Sequence, residues 1–165
     1  MTKPASAFLT REKAEAAVRL TLPMITEAMK IREVGDSGFF YLVVMNPVAR
    51  PGYCSFEESI LYEHAIGDRA KWDADYAAFA RAKTKVAWES GIDSHAVQAL
   101  RPWDLSAGDT TLWGSVVLDG IVVGASGLQA WYDEAFAGAV AMCLRAMVKA
   151  EAEQARRGGT LFLPG

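Results

Sequence analysis

The 165-residue chain carries only two cysteines, Cys54 and Cys143, too few for a disulfide framework. Cys143 falls in a helical apolar pattern, where a buried inert thiol is expected. Histidine is equally scarce: His64 and His95 are the only two, and no third ligand stands at a recognised spacing, so no structural zinc site is expected. Clustered basic charge is missing as well. The formal charge is −3 and no basic run exceeds Arg156-Arg157, which argues against a nucleic-acid surface. No stretch approaches ~20 uninterrupted apolar residues, and the opening MTKPASAFLTREKAEAA lacks the apolar core of a signal peptide. A reducing cytoplasm is the expected compartment. There is no Gly-x-Ser-x-Gly elbow, no P-loop or dinucleotide fingerprint, no internal repeat and no low-complexity tract.

What is present reads as one ordinary globular domain spanning 1–165, 52% hydrophobic and 22% charged, with a loose arm at 1–9 and a tail at 157–165. Thr10 caps a first helix whose apolar positions Ala14, Ala17, Val18, Leu22, Ile25 and Met29 keep helical spacing, and Pro23 should kink or split it. Phe39 to Met45, FFYLVVM, is aromatic, β-branched and short, the pattern of a buried strand. Pro47 and Pro51 make NPVARPGY a turn. Cys54 to Ile66 has two readings: its second half, Ile60 to Ile66, alternates like a strand, and a short helix is the alternative. Asp73 caps a second helix ending near Trp88 or Glu89, with Tyr76, Phe79, Ala80 and Val86 as its inner stripe and Ser90-Gly91 as its stop. Asp93 opens a further helical turn to Leu100, and RPWDLSAGDTT is a loop. Leu112–Leu118 and Ile121–Ala125 are strands joined by Asp119-Gly120, a favoured pair for a type I′ turn. A long helix follows Gly127, with Phe136, Val140, Cys143, Leu144, Met147 and Val148 on one face. The closing TLFLPG is apolar enough to dock on a neighbour. Helices and few strands segregated in this order imply an α+β domain, an antiparallel sheet covered by helices.

The combination VVLDGIVVGASG, the pair Asp133-Glu134 and the alanine-rich AFAGAVA resembles the GlcG/HbpS-like family, also called the haem-degrading domain family. Gly124-Ala125 match its Gly-Ala, Gly127 its second glycine, and ARAKTKVA (80–87) its lysine-bearing helix, with Lys83 in the lysine's place. The resemblance runs from about Thr10 to Gln154. It implies a three-layer α/β/α, profilin-like fold and assembly into homo-oligomers. Relatives bind haem or similar tetrapyrroles, or sit beside catabolic enzymes. The chain departs from the family pattern at Asn46-Pro47-Val48-Ala49, where an Asp-x-Gly-Gly turn is usual. It departs again at Leu128-Gln129-Ala130-Trp131-Tyr132, which is shorter and bulkier than the family's loop.

Lys83 interrupts an otherwise apolar helix stripe. Its ammonium either snorkels to water along the core edge or lines a cleft, as an anchor for a carboxylate or carbonyl oxygen or as a base. Tyr62, Glu63 and His64 offer proton-transfer partners, and Glu57 and Glu58 extend a charged face. Asp133 and Glu134 complement a helix dipole. Trp113, Trp131, Trp103 and Tyr132 flank the glycine-rich bend and can wall a pocket or form a subunit interface. The leading expectation is an oligomeric small-molecule-binding protein serving a catabolic pathway. Its ligand would lie between Lys83 and the bend, contacting Gly124, Gly127, Gln129, Trp131 and Trp113. The competing expectation is a cofactor-free isomerase or lyase acting on a small carboxylate or carbonyl compound, through Lys83 with His64, Glu63 or Tyr62. Haem follows from the family resemblance alone. No other cofactor, no metal, no nucleic acid and no membrane are expected.

Overall fold

Six consecutive apolar residues make up β1 (Phe40–Met45), and all six are buried in the computed structural model, which describes residues 5–164. A strand can be apolar on both faces only if both are covered. Its even positions, Phe40, Leu42 and Val44, enter one core cluster with residues of α1 (Arg11–Ala28) and α5 (Ala130–Arg157). Its odd positions, Tyr41, Val43 and Met45, enter a second cluster with α3 (Tyr76–Ser90). The molecule is therefore an α+β fold in three layers, helix, sheet, helix. The four-stranded sheet has the order β2-β1-β4-β3, with β2 at Ile60–Ile66, β3 at Ser115–Leu118 and β4 at Ile121–Ser126, and every neighbouring pair is antiparallel.

Most sequence boundaries correspond to elements, and the exceptions have local causes. Thr10 caps α1, its hydroxyl accepting from the Lys13 N–H at 3.3 Å. Pro23 lies inside α1 without dividing it, since neighbouring turns and core packing by Val18, Thr21 and Ile25 hold the helix on both sides. Both readings of 54–66 hold in part: Ser55 and Glu58 form a capping box over a single helical turn, α2 (Phe56–Ser59), before β2 begins. The cap of α3 is Asp75, not Asp73. The Asp75 carboxylate accepts from Ala78 N–H, whereas Asp73 accepts from the Tyr76 hydroxyl at 2.6 Å. Phe79 is 41% exposed rather than part of the inner stripe. Residues 112–114 precede β3 instead of joining it. The arm at 1–9 falls partly outside the described residues, and its last residue, Leu9, is packed in the core.

Asp119 and Gly120 both have positive φ, 51° and 84°, as the β3–β4 hairpin requires. The outer edge of β3 does not face water bare. Helix α4 (Ser94–Leu100) lies beside it, and the Asp93 and Ser94 side chains accept from the N–H groups of Val117 (2.7 Å) and Ser115 (3.0 Å). Asp93 thus stands at the α4 cap position but directs its carboxylate to the strand, and the pairing blocks sheet extension on that side.

Gly124 sits where α3 crosses β4. A Cβ there would overlap Thr84 Oγ1 and stand 2.5 Å from Ser115 Oγ. Thr84 is fixed by its own bond to Ala80 O at 2.6 Å, so the helix itself would have to move. Gly124→Ala is expected to cost about 1–3 kcal/mol of unfolding free energy; an unchanged denaturation midpoint would refute this close helix–strand contact.

Candidate functional site

Lys83 neither snorkels nor opens onto a cleft. It is 4% exposed, and its ammonium donates to Asp133 Oδ2 at 2.9 Å, Ser126 Oγ at 3.1 Å and Ala125 O at 3.4 Å. Three donors meet three acceptors, so the cation is fully satisfied. Asp133, 1% exposed, uses its other oxygen to accept from Leu128 N–H at 3.0 Å. The two residues join the middle of α3, the end of β4 and the first turn of α5. Gly114 packs against the pair, since a Cβ there would lie 2.8 Å from Asp133 Cβ and 3.4 Å from Lys83 Cδ.

This pair sets the shape of the glycine-rich bend. Besides Leu128, the Gln129 N–H is engaged, donating to Val34 O at 2.9 Å. Gly127 (φ 136°) approaches Phe39 so closely that a Cβ would overlap its carbonyl, and its own carbonyl accepts from Ser37 Oγ at 2.6 Å. The amides at 128 and 129 are thus tied inside the fold. The bend is a corner made rigid from within.

Just outside that corner lies a second constellation. The His95 imidazole stacks on the Trp113 indole, with centroids 3.9 Å apart and planes 11° apart. His95 Nδ1 stands 3.9 Å from Glu134 Oε2, a buried oxygen without a hydrogen-bond partner among the described residues. Burial holds the Glu134 carboxyl above its ordinary range, against the pull of His95. Trp131, 57% exposed, lies three residues before Glu134 and so on a neighbouring face of α5.

The other expected residues are placed elsewhere. Tyr62 and His64 bond to each other at 3.1 Å. They share the sheet face of Leu42 and Val44, which α1 and α5 cover, opposite the α3 layer that carries Lys83. Burial lowers the His64 pKa and raises that of Tyr62. Glu63 points to the α3 side, where Arg81 binds it through two nitrogens at 2.6 and 2.7 Å. Gly124 is sealed beneath Thr84, and Gln129 is exposed at the α5 cap without a side-chain cap bond. Among the described residues no group of three or more His, Cys, Asp or Glu could hold a metal ion, and no helix is long and apolar enough to cross a membrane.

Asp133 is the partner that sequence reasoning missed, and a signal existed. Positions 133, 137, 140 and 144 form the buried stripe of α5, so an acid there needs a buried cation. Only Lys83 interrupts an apolar stripe with the opposite charge. The fold and site together define a three-layer α+β domain with an ion-paired corner. No protein-family model matches the chain, and no curated protein does.

Burial outweighs the Lys83 charge and the hydrogen bonds at Asp133, so its carboxyl is pushed up from 3.8 to about 6. Between those values the folded chain keeps a proton that the unfolded chain releases, so this group's contribution to stability falls as pH rises through the window. Asp133→Asn should flatten the dependence of unfolding free energy on pH between 4 and 6. At pH 7 it should also cost about 3 kcal/mol, because Lys83 is left buried without its countercharge. A parallel pH profile, or no loss at pH 7, would refute the coupling.

Proposed function

We propose that the chain is a cytoplasmic, oligomeric small-molecule-binding protein of the GlcG/HbpS-like type, linked to a catabolic pathway. The observation that carries this reading is the rigid corner with an unpartnered carboxylate oxygen and an aromatic stack on its outer side. The ligand rests against Trp113, His95, Glu134 and Trp131. The Glu134 carboxylate, whose side chain is 29% exposed although its Oε2 is buried, accepts a hydroxyl or N–H, and the indoles supply apolar walls. Lys83 acts from behind, holding Asp133 and so the start of α5. Exposed Leu100, Trp103 and Leu112, with Leu161 and Phe162 of the tail, offer apolar surface for association.

For the binding reading, a thermal-shift screen of small carboxylates, carbonyl compounds and haemin should raise the melting temperature for at least one compound. Trp113→Ala and Glu134→Gln should each weaken that compound at least tenfold. With haemin, a Soret shift removed by His95→Ala but not by His64→Ala would assign the tetrapyrrole to this face. No stabilising compound, or one indifferent to Trp113 and Glu134, rules the proposed face out. A mass of 17.9 kDa at all concentrations in light scattering would remove the oligomer.

A further inference from the structure

The C-terminal end of α3 is remote from Lys83. Lys83 lies against the end of β4, whereas Trp88 to Gly91 lie by its beginning, where the hairpin turns. There a cavity of about 360 Å³ opens between three elements: the C-terminus of α3, the NPVARP turn and the β3–β4 hairpin. That volume is at the small end of the range of about 300–1,000 Å³ for ligand pockets.

The lining is divided by chemistry. Val117 and Val122, cross-strand partners of the hairpin, make an apolar floor with Trp88. Trp88 is fixed, its indole N–H donating to Ala49 O at 2.9 Å, and it ties α3 to the turn. The turn itself is stiffened by Pro47 and Pro51 and by Asn46, whose side chain accepts from Val48 N–H. On one side α3 ends at Gly91 in the left-handed conformation (φ 73°). The last carbonyls of a helix lack intrahelical donors and carry its negative partial charge, so this wall attracts a cation. Glu89 lies there too, its carboxylate held by Lys85 at 2.9 Å. On the other side stands Arg50, whose guanidinium has no hydrogen bond or ion pair among the described residues. Most arginines of the chain are engaged, for example Arg81 with Glu63, Arg101 with Asp104 and Arg145 with Asp119. A free fork beside a cavity suits a carboxylate, which it can bind through two parallel N–H donors.

We propose that this cleft binds a small aliphatic zwitterion of the amino-acid type. The ammonium meets the carbonyl end of α3, the carboxylate meets Arg50, and the aliphatic group lies on Val117, Val122 and Trp88. The proline-braced turn and the indole bond hold the walls before a ligand arrives, which lowers the cost of ordering them on binding. The site is separate from the Trp113 face, so either can fail without the other.

The test is NMR titration of the ¹⁵N-labelled full chain with leucine, valine and methionine as probes. Shifts are expected to concentrate at Gly91, Gly120 and the Trp88 indole N–H. Isovalerate, which lacks the ammonium, and isopentylamine, which lacks the carboxylate, should each bind at least tenfold more weakly than leucine. Arg50→Ala, an exposed position, should weaken leucine at least tenfold. Val117→Phe, which fills the floor, should abolish binding while compounds at the Trp113 face still bind. The proposal is overturned if none of the three amino acids shifts these resonances at millimolar concentration. It is equally overturned if isovalerate or isopentylamine matches leucine, or if Arg50→Ala leaves its affinity unchanged.

Discussion

An ammonium taken out of water must find acceptors for three donors and a countercharge, and here Lys83 finds all of them at one point. Asp133, Ser126 and the Ala125 carbonyl surround it at 2.9–3.4 Å. Those groups belong to the end of β4 and the start of α5, so satisfying one cation clamps three elements together. The Asp133 oxygen facing away from Lys83 then takes the Leu128 N–H, and the bend between β4 and α5 has little freedom left. Removing either charge would strand the other in a nearly dry interior, which is costlier than never having had the pair. Close contacts surround the same corner, Gly114 against Asp133 and Gly127 against Phe39.

The sheet separates the remaining chemistry into compartments. Because successive side chains of a strand point to opposite faces, Glu63 joins the α3 layer while Tyr62 and His64 join the α1 and α5 layer. Residues adjacent in sequence are divided by the thickness of the sheet, and no shared site forms from them and Lys83. Helix α3 makes a complementary division along its length. Its middle is clamped to the corner, and its carbonyl end looks onto the cleft at the hairpin. Among the polar groups without a hydrogen-bond partner in the described residues, two stand beside aromatic rings: the buried Glu134 Oε2 near Trp113 and the exposed Arg50 guanidinium near Trp88. Unmatched groups beside aromatic surface are where a ligand has most to offer.

Much of the fold was legible along the chain. The apolar run of β1, the Thr10 cap, the Gly91 stop and the positive-φ pair Asp119-Gly120 each express a local steric or hydrogen-bonding rule, and each stands as expected. Asp75 rather than Asp73 as the α3 cap was less legible, because both are acids within reach and only the Tyr76 hydroxyl separates their roles. The site was legible only in halves. Lys83 stood out because a charge broke an apolar stripe, while Asp133 was read as a helix-dipole residue. His95 and Trp113, 18 positions apart in the chain, carry no mark of the stack they form.

Local signals along the chain were enough for most of the elements, for an antiparallel sheet with helices over it, and for one anomalous lysine. Periodicity, capping and turn chemistry act over a few residues and need no knowledge of the partner across the core. Which groups meet was settled on folding: Lys83 faces Asp133 across 50 positions, the glycine-rich bend is braced from inside, Glu134 Oε2 is buried without a hydrogen-bond partner, and Arg50 is left exposed. Those outcomes depend on which charges meet once three layers close, and long-range pairing leaves no periodic trace along the chain.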